Sequence, residues 1–428
     1  MTESALPAPT RSSKKALWFA LHGWLALPIW GFLALVCITG TLCVISEEIT
    51  WLISPEYRAS KPDENASVSY PLIITSVKSR YAGADIKSIH ITQSYMASLV
   101  RISLPNGEAK RLSVNQYTGE VQSEITGNGF RGFIVALHGW LLFPWEDDYS
   151  VGWYLVTALS IPLLGSIISG IMIFKHFYRL ILRPKLRLSM GSRVFWGDLH
   201  RLIAAWSIWF LIIISISGLW FLVQGVLDQN QIKIYPDKIQ LQPETIVENQ
   251  TRIRNFSTED LISKATNQIS DLHISYIEFP EDTSDTLLIQ GKKHFSILRD
   301  NVNSVNFNPQ NSSLVASRDA NDLSLLQWMP SLLMPLHFGD FAGLTSKIIW
   351  FLFGCLMSTL VCSGFVIWTK RTFQASKRMR SISASTTEKP LQTKNSQQQT
   401  ISRQKKLKRI FFWTSWLIVI APVYFFFQ

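Results

Sequence analysis

Cysteine is scarce in this chain: among 428 residues there are four, Cys37, Cys43, Cys355 and Cys362. All four fall inside apolar runs, so none can brace a water-exposed domain by a disulfide, and they read as small packing residues. No C-x-x-C or C-x-x-C-H occurs, which removes the thioether route for attaching a prosthetic group. A G-x-G-x-x-G that opens a helix and is followed by an acidic residue is missing, and with it any evident flavin or nicotinamide domain. The hydrophilic stretches carry no nucleophile-elbow, phosphate-loop or metal-ligand motif. Carboxylates are nearly absent from the apolar runs, which disfavours a cation path through them.

What the chain has is hydrophobic length. Apolar residues make up 47% of it. Residues 16–46, 151–174, 202–227 and 348–369 are each long enough to cross about 30 Å of hydrocarbon, and residues 410–427 form a shorter fifth run. The first is too long for a signal-peptide core and no small-residue cleavage site precedes Glu47 and Glu48, so it reads as a retained anchor. Residues 1–15, 175–193 and 370–409 hold 21 of the 41 Lys and Arg against only Glu3 and Glu388. By the positive-inside rule these segments face the cytoplasm, N-terminus included. The net charge of +11 therefore records topology, and nucleic acid is not an expected partner; the lipid bilayer is.

The expected order is a cytoplasmic N-terminus (1–15), a first span (16–46), an exported domain (47–137), a histidine segment with the second span (138–174) and a basic loop (175–197). A third span (198–227), a second exported domain (228–335) and a histidine segment with the fourth span (336–369) repeat that plan. A disordered basic linker (370–409) and a C-terminal span (410–428) close the chain. The fold class is thus a membrane α-helical bundle, four core helices plus a fifth, carrying two exported α+β domains and internally duplicated. In the first domain a helix is expected over 70–81 and strands near 86–92, 97–104 and 109–114, with Pro105-Asn106-Gly107 as a hairpin turn and a closure at Thr118-Gly119-Glu120-Val121. The second is a degenerate copy: a helix over 258–269, strands near 273–279, 286–290 and 293–298, and a closure on Val305-Asn306-Phe307.

Histidine marks the ends of the apolar runs. Leu21-His22-Gly23-Trp24-Leu25 and Leu137-His138-Gly139-Trp140-Leu141 are near copies, and Asp198-Leu199-His200-Arg201 and Pro335-Leu336-His337-Phe338-Gly339 follow in weaker form. An unpaired imidazole at the edge of a membrane helix is costly, so four at repeated places point to ligands. Two imidazoles on facing helices hold a six-coordinate haem iron suited to electron transfer. His22 and His200 lie equally deep inside the cytoplasmic boundary, and His138 and His337 near the exported face. The simplest arrangement is two b-type haems, one per pair, with His176 as the substitute cytoplasmic ligand. Gly40 follows His22 by 18 residues and Gly218 follows His200 by 18, about five helical turns, so each is expected to offer a bare patch where a haem packs. His90, His273 and His294 lie in expected strands, with no partner at ligand spacing.

Leu21-His22-Gly23-Trp24, the Thr118-Gly119-Glu120-Val121 closure, Asp198-Leu199-His200-Arg201 and Leu336-His337-Phe338-Gly339 occur in an order that resembles the PepSY-associated transmembrane family, from about Leu17 to Lys370. The resemblance makes the exported domains PepSY-like. It implies a bacterial inner-membrane protein of the iron-regulated or haem-containing ferric-siderophore-reductase type, with His22, His138, His200 and His337 as haem ligands. The implied partners are a ferric siderophore and a separate electron donor, a quinol or a cytoplasmic flavoprotein. The second domain departs from the family pattern in lacking a clear Thr-Gly turn, and the fifth run lies outside the four-helix core. Two other readings stay open: a haem-free anchored sensor or assembly protein, and a siderophore or metal permease.

Overall fold

The computed structural model describes residues 11–242, 257–294 and 296–385. In chain order the elements are helices α1 (Arg11–Ala26), α2 (Trp30–Val44), α3 (Ser46–Ile53) and α4 (Tyr70–Arg80), then strands β1 (Asp85–His90), β2 (Ser98–Ser103), β3 (Ala109–Val114) and β4 (Val121–Glu124). Helices α5 (Gly129–Trp140), α6 (Val151–Ala158), α7 (Ser160–Ile173), α8 (Tyr178–Leu182), α9 (Ser192–Gln229) and α10 (Thr258–Gln268) follow. Strands β5 (Leu272–Glu278), β6 (Leu287–Lys293), β7 (Asn303–Phe307) and β8 (Leu314–Arg318) precede helices α11 (Leu325–Phe338) and α12 (Gly343–Ser385). They form two compact units: a helical one from residues up to 43, 134–229 and 349 onward, and a sheet unit from residues 44–133 and 230–348.

Among the described residues three helices are long and apolar enough to cross a bilayer: Val151–Ile173, Ser192–Gln229 and Gly343–Gln374. The first apolar run departs from the single span expected over 16–46. It is two helices, Lys14–Ala26 and Trp30–Val44, bent by 66°, and makes a fourth span only as that pair. Pro28 stands at the break, where its ring removes a backbone donor and clashes with the preceding turn. Hydroxyls within these helices bond to carbonyls of their own turns, as Thr39 does to Leu35, Ser169 to Gly165 and Ser215 to Leu211. Polar side chains are thereby satisfied where water is excluded. None of the four cysteines forms a disulfide. α12 runs on to Ser385, past the point where a linker was expected, through a Lys- and Arg-rich stretch of fair helix propensity. The remainder of the expected linker and the C-terminal run lie outside the described residues.

In the sheet unit the eight strands form one antiparallel sheet in the order β4-β3-β2-β1-β5-β6-β7-β8. Each half contributes four strands and one covering helix, α4 or α10. Both helices start on a serine cap: the Ser69 hydroxyl accepts from Leu72 N–H, and that of Ser257 from Asp260 N–H. Ile73 and Val77 of α4 and Leu261 and Ala265 of α10 pack with Ile89, Val100, Leu112, Ile277, Ile289 and Val305 in a shared core. Burial of each large aliphatic side chain contributes about 1.5–3 kcal/mol. The halves join at β1 and β5, with Ile89 opposite Ile277 and His90 opposite Tyr276. Gly119, at φ +73°, closes the first half; a Cβ there would stand 2.7 Å from Leu72 Cγ, under α4.

One strand of the second half was misplaced by the sequence. Among the described residues no strand follows Lys293 up to Leu298; β6 runs unbroken to Lys293 and pairs with β7. That strand is fully buried yet polar. The Asn303 side-chain amide donates to the Gly291 carbonyl, and the Thr286 hydroxyl donates to Asn306 Oδ1. Hydrogen bonding stabilises what apolar patterning would not reveal.

Candidate functional site

α1, α7, α9 and α12 bring the cytoplasmic-side histidines of the expected plan together. His22 and His200 stand with ring centroids 6.4 Å apart and planes at 84°. Each is anchored through Nδ1. His22 Nδ1 lies 3.0 Å from Ser169 Oγ and 3.1 Å from the Ser166 carbonyl, both on α7. His200 Nδ1 lies 2.9 Å from Ser363 Oγ on α12. Beside each serine is a glycine in ordinary contact with the ring: a Cβ at Gly170 would be 3.7 Å from His22 Cε1, and one at Gly364 3.5 Å from His200 Cε1. With Nδ1 engaged, Nε2 is the nitrogen that remains for a metal.

The separation has a chemical meaning. Two imidazoles bound to one metal at about 2.0 Å, with each ring centre about 1.1 Å behind its nitrogen, stand about 6.2 Å apart, so the rings are spaced to share one metal between them. Among the described residues no group of three or more His, Cys, Asp or Glu is set to hold a bare ion. Two opposed axial positions are what an iron needs when a macrocycle supplies its other four ligands. Nearby, Trp30 stacks on Phe365, next to Gly364, with ring centroids 3.8 Å apart, and its buried Nε1 has no acceptor among the described residues. A ligand with acceptor oxygens would satisfy it. The residues present thus fit a haem.

His138, on α5, is held in the same way: Nδ1 is 3.0 Å from the Val36 carbonyl and 3.4 Å from Thr39 Oγ1 on α2. Its ring lies on Gly40, where a Cβ would come within 2.6 Å of Cε1. The bare patch expected at Gly40 is therefore the seat of His138. The shared-face argument with His22 fails as well, because the bend at Pro28 falls between them. Gly218 stays on the same helix as His200, but its neighbour is Ser160, 3.3 Å from an added Cβ. His337 stands at the C-terminal end of α11, in the sheet unit, before Gly339 at φ +77°. His138 and His337 thus belong to different units. His176 lies exposed after α7, its ring against Tyr178.

Three features escaped the sequence reading. Ser169-Gly170 and Ser363-Gly364 stand near the ends of two apolar runs, and that repeated Ser-Gly pair is the sequence signal for the histidine seats. Asp198, two residues before His200, is 5% exposed and bound by Arg187 through Nε and Nη2, each at 2.9 Å, and by Arg201. His273 and His294 were read as unpartnered, yet β5 and β6 place Nε2 of one 3.2 Å from Nδ1 of the other, on an exposed face.

The sheet unit holds a separate charged cluster. Lys347 is 4% exposed and sits 2.6 Å from Glu47 and 2.9 Å from Glu48, with the Tyr95 hydroxyl donating to Glu48 at 2.6 Å and Arg131 3.3 Å from Glu47. Burial alone would raise the Glu47 pKa, but the Lys347 and Arg131 cations reverse this and hold it below the ordinary range. Asp340 is pushed up to about 6 by burial and by Asp300.

The sequence model of one family, described as the PepSY-associated TM region, matches residues 19–371. No curated protein matches the chain.

Proposed function

The chain belongs to the PepSY-associated transmembrane family and is a multi-pass membrane protein; from that premise we propose that it is an inner-membrane di-haem b electron conduit reducing ferric siderophores. The observation that carries this reading is the opposed, Nδ1-anchored pair His22 and His200. In it, His22 and His200 would hold one haem, His138 and His337 are the ligands the sequence offers for a second, and the N-terminus lies in the cytoplasm. Bound there, haem would supply one-electron transfer. With Nδ1 of each ring engaged, the Nε2 atoms of His22 and His200 would be the nitrogens that hold it, and two imidazole ligands would favour electron transfer over oxygen binding. The substrate side rests on coordination chemistry: hard hydroxamate or catecholate oxygens hold Fe(III) far better than Fe(II), so a one-electron reduction loosens the chelate. The electrons come from a separate donor, a quinol or a cytoplasmic flavoprotein.

One observation favours a second reading, a haem-free anchored binding or assembly protein. The sheet ends in two strands, β4 and β8, each with an edge to which an extended peptide can add. A permease finds no such support. The deciding experiment is a pyridine haemochrome assay with a reduced-minus-oxidised spectrum on purified protein. About two b-type haems per chain carry the conduit, and one restricts it to a single pair. None, after expression with ample haem, gives the field to the binding protein. Within the conduit, His22→Ala and His200→Ala should each abolish the same haem and spare the other; loss of different haems would break the pairing.

A further inference from the structure

An imidazole binds metal only through the nitrogen without a proton, and the partner of the other nitrogen decides which one that is. Around His22 and His200 the partners leave no choice. A serine hydroxyl has a single proton to donate. That of Ser169 goes to the Gly165 carbonyl at 2.7 Å, and that of Ser363 to the Leu360 carbonyl at 2.8 Å. With those protons so placed both oxygens accept, which assigns the histidine Nδ1 atoms, at 3.0 and 2.9 Å, as the donors. The Ser166 carbonyl, 3.1 Å from His22 Nδ1, accepts only and requires the same proton position. His138 repeats the logic: the Thr39 hydroxyl is given to the Leu35 carbonyl at 2.8 Å, and the Val36 carbonyl can only accept.

We propose that Ser169 and Ser363 are positioning residues that lock His22 and His200 as Nδ1–H tautomers and set the donor strength of the Nε2 atoms that bind iron. The inference deepens the haem reading and rests on it. The two serines occupy equivalent places in the two halves, each followed by a glycine lying against the ring. A hydrogen bond from Nδ1–H pushes electron density toward Nε2 and favours the ferric over the ferrous state. Outer-shell groups of this kind typically change metal affinity 10- to 100-fold when removed. A tenfold loss confined to the ferric state corresponds to a midpoint raised by about 59 mV for one electron.

The test is an optical redox titration with low-temperature EPR on haem-loaded wild type, Ser169→Ala, Ser363→Ala and Ser363→Thr. Wild type should show the highly anisotropic low-spin signal that perpendicular axial planes give. Ser363→Ala should raise the midpoint by roughly the tenfold equivalent and alter that signal, and Ser169→Ala should do so less, because the Ser166 carbonyl still accepts from His22 Nδ1, whereas Ser363→Thr, which keeps a hydroxyl, should stay near wild type. Loss of haem from Ser363→Ala that Ser363→Thr restores carries the same conclusion. Unchanged midpoints and spectra in both alanine variants overturn the positioning role while leaving the haem reading intact, and so does equal loss of haem from Ser363→Ala and Ser363→Thr. A wild type that binds no haem overturns both.

Discussion

Replacing Gly40 with alanine tests whether that glycine is a histidine seat or a bare helix patch. The added Cβ would lie 2.6 Å from His138 Cε1, 3.1 Å from Nδ1 and 3.3 Å from Nε2. Carbon atoms settle at about 3.5–4.0 Å, so the ring must retreat by about 1 Å. It is held by the 3.0 Å bond to the Val36 carbonyl, which such a retreat breaks. Losing that bond costs about 1 kcal/mol and overpacking a further 1–3 kcal/mol, for a total of about 2–4 kcal/mol. Expressed as affinity, haem retention at this site falls by tens to hundreds of fold. Gly218→Ala meets only Ser160 Cβ at 3.3 Å, Gly364→Ala and Gly170→Ala only ordinary contacts, and alanine is the better helix former by about 1 kcal/mol. The assay is haem per chain across a haem titration, with thermal unfolding in detergent as the control. Equal damage from Gly218→Ala and Gly40→Ala, or full haem affinity in Gly40→Ala, would refute the reasoning.

Other perturbations address the sheet unit. Lys347→Met leaves Glu47 and Glu48 buried without their shared cation and should cost about 3–5 kcal/mol; denaturant titration checks this, and a loss under 1 kcal/mol would show that water reaches the cluster. Asp340, with its pKa raised to about 6, binds a proton more tightly folded than unfolded, so its contribution to stability is full below the ordinary carboxylate range and is lost as pH rises to about 6. Two units correspond to about 3 kcal/mol, so Asp340→Asn should match wild type near pH 4 and exceed it by up to that amount at pH 7 and above. Parallel stability curves for the two proteins would count against it. Glu47 has the opposite sign: its pKa is held down, and the stability it lends disappears as pH falls through its lowered folded value.

The first sheet half was legible because each strand carries its own alternation and the Pro105-Asn106-Gly107 turn separates two of them; β3 and α4 fall where the pattern puts them. Patterning failed at β7, whose buried Asn303 and Asn306 are satisfied by hydrogen bonds with Gly291 on β6 and with Thr286 just before it. It failed again at Pro28, a single residue inside an apolar run whose hydropathy stays high across the bend. For the site, His22 and His200 could be paired from equal depth in a repeat. Their serines could not, since a serine in an apolar helix usually bonds to its own backbone, and Ser169 and Ser363 do so even while they receive the imidazole. Gly40 was assigned to the wrong neighbour because helical periodicity was carried across a break.

The seam between β1 and β5 also dictates a timetable. Its partners are about 190 residues apart in the chain, with α5 to α9 between them. At roughly 5–20 residues per second, a ribosome needs about 10–40 s to deliver β5 after β1. Throughout that interval the first four strands stand as half a sheet with an open flank at Ile89, ready to pair with any strand that arrives first. Slower translation between β1 and β5 lengthens that exposure and should lower the yield of folded protein.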